Sequence, residues 1–344
     1  MFENSGKTDL AGLGEFGLIN HLTQHIKLHN DTTIKGVGDD AAILDFKNKK
    51  ALISTDLLLE GIHFDLAYTP LKHLGYKAVQ VNLSDIYAMN GMASQITVSL
   101  GLSSKFPLEA VEEIYSGILL ACEKYKIDLI GGDTASSKQG LVISVTSIGY
   151  AEEEDICRRD GAGEGDLICV TGDLGGAYTG LQLLEREKQV FLENPQIQPD
   201  LEGKDYIIER QLKPEARRDI VILLKELGVK PTAMIDVSDG LSSELIHICT
   251  QSEKGCSVYE EKIPIDPMTY DTARQFHLDP TLCALSGGED YELLFTIKQT
   301  DYEKVRNQPD ISVIGHITEK SAGMNLVSRS DKIHPLKAQG WKAF

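Results

Sequence analysis

Five short acidic motifs, each beside small or hydroxylated residues, punctuate this chain: GVGDDAA at 36–42, STD at 54–56, NLSD at 82–85, GGDT at 131–134 and DVSDG at 236–240. Carboxylates so far apart in sequence act together only where a fold gathers them, and their hard oxygens suit Mg2+ or Mn2+ rather than softer metals. The formal net charge of −18 sharpens the point. A polyphosphate ligand would be repelled by such a chain unless divalent ions bridged it to the carboxylates.

Each motif has a plainer reading beside the chemical one. In DVSDGL an apolar run ends in Asp236, Ser238 and Asp239 and a helix follows. Ser238 or Asp239 could simply cap that helix. Capping does not ask for Asp236, a carboxylate at the end of the strand-like run. GGDT follows the apolar run IDLI, where two glycines let a ligand approach the backbone before Asp133; the alternative is a tight turn. Asp56 ends the run ALIS, beside the hydroxyls of Ser54 and Thr55. In GVGDDAA, adjacent Asp39 and Asp40 repel each other unless a cation or solvent intervenes. Asp85 stands in a mostly apolar helical stretch, where a buried carboxylate needs a partner.

Other designs are excluded by what the chain lacks. There is no GxxxxGK[ST] segment, no protein-kinase motif set, no GxSxG elbow, and none of the nine histidines forms an HExxH pair. The segment TGDLGGAYTG has a phosphate loop's glycines without its lysine, which leaves helix-start packing or an anion nest. The acidic balance argues against nucleic-acid binding. The six cysteines are scattered, without CxxC spacing, and read as buried reduced thiols. No apolar run approaches a membrane span and the N-terminus has no signal-peptide pattern, so no membrane is expected and the cytoplasm is the expected compartment.

The elements that must position these residues follow from periodicity. At 344 residues, 42% hydrophobic and 25% charged, the chain reads as two globular α/β domains. Residues 14–26 have helical spacing. Two strand-like runs, AAILDF and ALIST, lead into the first motifs, 71–90 reads as a helix ending at Gly91, and ASQITVSLGL as a strand. A helix over 108–126 and the strands IDLIGG and LVISVTSIGY complete a domain over 1–150. Around 151–165 the pattern breaks into AEEEDICRRDGAGEG, and a second domain over 151–344 begins. Its expected elements are DLICVTG, the helix AYTGLQLLEREK, a loop insertion over 193–205, a helix over 214–227, the strand AMIDVS, a helix over 240–251, and strands at SVYEEKI, 291–297 and 311–317.

In this order the motifs resemble the thiamine-monophosphate kinases, of the superfamily that includes aminoimidazole ribonucleotide synthetase and selenophosphate synthetase. The resemblance runs from GEFGLI through GDDAA, STDLLLEGIHF, NLSD, GGDT, RRDGA, DVSDGL and GGEDYELLF to the terminal GWKAF, nearly the whole chain. It implies an α/β (α+β) fold of aminoimidazole ribonucleotide synthetase type, with mixed sheets flanked by helices. The first domain would bind ATP and Mg2+ and pair two copies into a homodimer; the second would complete the active site.

The implied activity is transfer of a phosphoryl group from ATP to thiamine monophosphate, giving thiamine diphosphate with several Mg2+ ions. Carried over by position, Asp40, Ser54, Thr55, Asp56, Asp85, Asp133, Asp236 and Asp239 would surround the metals. Tyr115, Gly132, Asp133, Arg159 and Ser238 would face ATP, and His63, Glu289 and Trp341 the thiamine end. Asp56, Asp85, Asp239 and Arg159 would carry catalysis. The adjacency of Asp39 and of Arg158 leaves those two choices open. The acceptor is itself a phosphate monoester, ionised near neutral pH, so no general base is needed, and the difficulty is bringing two anions together in line. The alternatives are another ATP-using synthetase of the superfamily or a non-catalytic metal or nucleotide sensor. Neither the N-terminal reactive cysteine expected of a selenophosphate synthetase nor the C-terminal cysteine expected of the hydrogenase-maturation relative is present.

Overall fold

A computed structural model of the chain describes residues 18, 21–37, 42–103 and 105–338. They divide into two compact units, one of Met1–Ile86 with Gly91–Glu153, the other of Tyr87–Asn90 with Glu154–Phe344.

The first unit opens with a short antiparallel pair, β1 (Thr33–Lys35) and β2 (Ile43–Leu44). Its main sheet has four strands: β3 (Lys50–Leu59), β4 (Met92–Leu102), β5 (Asp128–Ser136) and β6 (Val142–Ala151), in the order β3-β6-β4-β5. β6 pairs antiparallel with β3 and β4, while β4 and β5 are parallel. A parallel pair needs a crossover, and α2 (Leu108–Tyr125) supplies it. α1 (Leu71–Ala88) lies between β3 and β4 in the chain.

α1 is buried nearly all round rather than along one stripe: Leu74, Val79, Leu83 and Ile86 are inside, and so are the polar Gln80, Asn82 and Ser84. A helix buried on every side must satisfy its polar side chains internally. Two glycines let α1 and α2 touch backbone to backbone: a Cβ on Gly75 would strike the Ile114 carbonyl, and one on Gly117 the Lys72 carbonyl. That contact fixes how deep α1 sits, and with it the positions of Asn82 and Asp85. Buried Asp128, at the start of β5, accepts from the backbone N–H of His29 and Asn30 and from Thr33 Oγ1, tying the segment before β1 to the sheet.

The second unit is built on a seven-stranded sheet in the order β13-β12-β9-β11-β7-β10-β8. Its strands are β7 (Leu167–Thr171), β8 (Ala233–Asp236), β9 (Gly255–Tyr259), β10 (Leu293–Ile297), β11 (Ile311–Thr318), β12 (Met324–Val327) and β13 (Ile333–Pro335). Among the described residues of this sheet only β9 and β12 pair in parallel. The longer helices are α3 (Gly176–Glu193), α4 (Asp205–Leu212), α5 (Arg218–Glu226), α6 (Leu241–Gln251), α7 (Pro267–Gln275) and α8 (Pro280–Ser286). The core gathers Ile168, Val170, Ile235, Leu245, Val258 and Leu294 with Ile314 and Ile317. Both units are thus mixed α/β, with helices packed on mixed sheets.

Several elements differ from the sequence expectation. α4, α7 and α8 were not expected, although α7 and α8 carry a readable signal. Asp266 and Asp279 each precede a proline at the first helical position and cap the next turn through Met268 N and Thr281 N, at 2.7 and 2.9 Å. The helix expected over 214–227 begins only at Arg218, because Pro214 and the residues after it connect α4 to α5 without helical structure. The strand expected at SVYEEKI ends at Tyr259, where Glu260–Lys262 turn into a short 3-10 helix.

Candidate functional site

In the first unit the motifs STD and NLSD meet. Ser54 and Asp56 lie in the middle of β3, not at its end, and project to one side of the strand as alternate residues do. Asp85 comes from α1, and Ser54 Oγ donates to its Oδ2 at 2.5 Å. Burial, reinforced by the charge of Asp85, pushes the Asp56 carboxyl up to about 6. Two carboxylates held this way repel each other, and a hard cation between them would relieve the repulsion.

Asn82, one turn before Asp85, is fully buried. Its Oδ1 accepts from Asp56 N–H at 2.9 Å, its Nδ2 donates to Ala78 O at 2.9 Å, and its carbonyl accepts from Ser147 Oγ at 2.8 Å. It is therefore a strut between α1, β3 and β6 that holds Asp56 opposite Asp85. Sequence reasoning missed it as a functional residue; the available signal was its place in NLSD, one turn before Asp85.

The other expected residues of this unit lie elsewhere. Thr55 faces away from Ser54 and Asp56, with its hydroxyl donating to Val145 O at 3.1 Å. GGDT is neither a turn nor the end of a strand. β5 runs through it, pairing Gly131, Gly132 and Asp133 with Thr97, Val98 and Ser99. A Cβ on Gly132 would collide with the Val98 carbonyl, so the bare glycine has a structural reason in the sheet. β6 and β4 stand between Asp133 and β3, a lateral separation of about 14 Å at ordinary strand spacing. One ion cannot span Asp133 and Asp56. Tyr115 is buried in α2, and burial pushes its hydroxyl up to about 12. His63 Nδ1 accepts from Leu59 N–H at 3.0 Å, which places the proton of the neutral ring on Nε2. Asp40 and Trp341 lie outside the described residues.

In the second unit Asp236 ends β8 and is 4% exposed. The plain capping reading of Ser238 and Asp239 does not hold. The N-cap of α6 is Gly240, with no side-chain cap. Instead buried Glu244, in the first turn of α6, reaches back and accepts from Asp239 N–H at 2.8 Å. Burial raises the Asp239 carboxyl, with His247 pulling it down, and raises Glu244 to about 7, with Arg159 pulling it down. Arg159 is thus within electrostatic reach of the DVSDG loop, whereas Arg158 is engaged with Asp160 at 3.1 Å.

Glu289 sits on the segment GGEDYE, which is laced to DVSDG. Glu289 N–H donates to Ser238 O at 2.7 Å, Tyr291 N–H to Val237 O at 2.9 Å, and Val237 N–H to Glu292 O at 2.8 Å. Asp290 settles the role of TGDLGGAYTG. Its carboxyl oxygens accept from Gly175 N–H and Ala177 N–H at 2.8 and 3.2 Å, so an internal side chain fills the start of α3. Glu292 bridges Arg210 and Arg217 at 2.9 and 2.7 Å. Burial works against both guanidinium charges, yet Glu292, joined by Asp290 at Arg210 and by Asp219 at Arg217, raises both above the ordinary arginine range.

The Ser54 hydroxyl with the Asp56 and Asp85 carboxylates, the latter two in mutual repulsion, forms an oxygen-only donor set that fits a hard divalent cation. Among the described residues no cluster of three His, Cys, Asp or Glu side chains is close enough to enclose such an ion alone.

The family described as AIR synthase related protein, N-terminal domain, matches residues 38–151. The thiamine-monophosphate kinase of Buchnera aphidicola subsp. Schizaphis graminum (strain Sg) is 38% identical over 328 residues, covering 93% of this chain and 95% of that protein. That of Aquifex aeolicus (strain VF5) is 35% identical over 337 residues, covering 97% and 99%. The chain belongs to the thiamine-monophosphate kinase family. A solved structure of AaThiL complexed with AMPPCP and TMP shares its fold at a TM-score of 0.74 and 33% identity, covering 99% of this chain and 100% of that one. The matches to these kinases extend over both units.

Proposed function

We propose that this chain transfers the γ-phosphoryl group of ATP directly to thiamine monophosphate, giving thiamine diphosphate and ADP. The observation that carries the reading is the near-complete coverage by thiamine-monophosphate kinases, together with the Ser54–Asp56–Asp85 grouping that STD and NLSD form here. The AMPPCP and TMP held by the related solved structure supply the two ligand classes, a nucleotide and a phosphate-monoester acceptor.

In this reading Asp40, Ser54, Asp56, Asp85, Asp133, Asp236 and Asp239 would hold several Mg2+ ions, while Thr55, expected among them, faces the other side of β3. Bound there, the ions neutralise the repulsion between two anionic reactants and the charge that develops in an in-line transfer. The separation of β5 from β3 supports more than one metal position. Asn82 keeps Asp56 facing Asp85 before any ligand arrives, so the donor geometry is set in advance. Glu244 holds the DVSDG loop by Asp239 N–H, and Arg159 offers a charge to phosphate oxygens. Tyr115, Gly132 and Ser238 complete the nucleotide side, and His63, Glu289 and Trp341 the thiamine side. His63, with its proton on Nε2, would present a donor there.

The active form is a homodimer made through the open face of the first unit's sheet. Ile53 and Leu57 of the edge strand β3 are 69% and 50% exposed there, an apolar pair that a second copy would cover. The compartment is the cytoplasm, on the strength of six buried, unpaired thiols. No helix among the described residues is long and apolar enough to cross a membrane.

The test is a mass-spectrometric product assay of the full chain with ATP and Mg2+, offering thiamine monophosphate, thiamine or an aminoimidazole-pathway substrate. Thiamine diphosphate plus ADP, formed from thiamine monophosphate alone, is the expected result. Product from another acceptor would move the chain to a sister activity, and nucleotide binding without any product would make it a sensor.

A further inference from the structure

We propose that Gln211 is a positioning residue for the acceptor side of the site, acting through Glu289. The inference rests on the reading that Glu289 faces thiamine monophosphate. Gln211 is 4% exposed on α4, and its Nε2 donates to Glu289 Oε2 at 2.8 Å across 78 residues of sequence.

The segment that carries Glu289 is held with unusual thoroughness. Glu289 and Tyr291 both take positive φ, 59° and 53°, a conformation that costs energy for side-chain-bearing residues unless the surroundings enforce it. The enforcement comes from every side. Main-chain bonds stitch the segment to Val237 and Ser238, Asp290 is seated on the first N–H groups of α3, and Glu292 is clamped by Thr171, Arg210 and Arg217.

These bonds fix the backbone of Glu289, and Gln211 adds a buried donor to its carboxylate that helps set its direction. The neighbouring Arg210 reaches the same segment, its Nη2 donating to Asp290 O at 3.3 Å, so one turn of α4 delivers both the backbone clamp and the side-chain clamp. A carboxylate turned by a buried amide donor, rather than by solvent, presents its second oxygen in a fixed direction, which is what discrimination of a cationic or hydrogen-bonding heterocycle requires.

The test compares Gln211→Met, which keeps length and removes the donor, Gln211→Glu, which places an acceptor against Glu289, Glu289→Gln, and the Gln211→Met/Glu289→Gln double variant. Steady-state kinetics are measured for both substrates and melting curves are recorded for each protein. Gln211→Met is expected to raise KM for thiamine monophosphate about tenfold, with KM for ATP and the melting temperature near wild type. Gln211→Glu is expected to raise it further, and the double variant to match Glu289→Gln alone.

Four results would overturn the assignment: equal rises in both KM values, a Gln211→Met enzyme indistinguishable from wild type, a double variant in which the two losses multiply, or a collapsed melt in Gln211→Met. A wild-type enzyme that is active while Glu289→Gln binds the acceptor normally would remove Glu289, and Gln211 with it, and leave the kinase reading intact. A wild type that makes no thiamine diphosphate removes both.

Discussion

Replacing Glu292 by glutamine tests whether the second unit depends on its buried ion cluster. Glu292 is 2% exposed and accepts from Thr171 Oγ1 at 2.5 Å, Arg210 Nη1 at 2.9 Å and Arg217 Nη1 at 2.7 Å. The two arginine side chains are 15% and 12% exposed. An amide of the same shape keeps one acceptor oxygen but removes the charge, leaving both guanidiniums without their shared counter-ion in a place water barely reaches. Hydrogen bonds to charged groups contribute about 1.5–3 kcal/mol each, and breaking a buried pair from one side costs about 3–5 kcal/mol. A loss of about 4 kcal/mol is therefore expected, out of a total of about 5–15 kcal/mol for an ordinary domain. At about 2–4 °C per kcal/mol, the melting transition of this unit should fall by roughly 8–16 °C. Urea unfolding followed by circular dichroism gives the free energy directly. Adding Arg217→Gln should cost less than it does alone, since its partner charge is already gone. A loss below about 1 kcal/mol, or strict additivity, would refute the reasoning.

Asp85→Asn and Asp239→Asn should each lower turnover about 100-fold or more at limiting Mg2+, with partial recovery at high Mg2+; full activity of both in steady-state assays would mean the metal residues are misassigned. Burial lifts the Asp290 carboxyl to about 7 against the pull of Arg210 and the N–H groups of Gly175 and Ala177. A carboxyl raised from 3.8 contributes stability that is full below that value and is lost as pH rises through 7, so the wild-type melting temperature should fall between pH 5 and 8. Glu244 and Asp56, also raised by burial, add to the same slope, so Asp290→Asn should make it shallower without abolishing it, and an unchanged slope would dismiss Asp290 as a source. Trp341→Ala should weaken thiamine monophosphate binding about tenfold and spare ATP binding, as measured by calorimetry; equal losses would point to a structural role.

What could be read from the sequence was the chemistry of single segments. The acidic motifs and the β4–α2–β5 strand-helix-strand run announce themselves through local pattern. What could not be read is where strands continue and which distant groups meet. GGDT looks like a turn because glycines punctuate loops, yet a neighbouring strand recruits it into β5 and makes Gly132 a packing requirement. DVSDG looks like a helix cap, but the cap is Gly240, and Glu244 holds the loop instead. Asn82 belongs to the NLSD motif, but its role as a strut shows only once β3 lies beside α1. Gln211 and Glu289, 78 residues apart, carry no local sign of each other. The Asp-Pro starts of α7 and α8 carry a capping signal that the sequence reading passed over.

The most direct measurement is the initial rate of thiamine diphosphate formation from ATP and thiamine monophosphate as Mg2+ is titrated from zero into metal-stripped wild-type protein. A rate that is absent without metal, and rises more steeply than first order in Mg2+ before it saturates, is the result expected if several cations are held by the aspartates of STD, NLSD, GGDT and DVSDG. Undiminished thiamine diphosphate formation in the presence of a chelator would contradict the account.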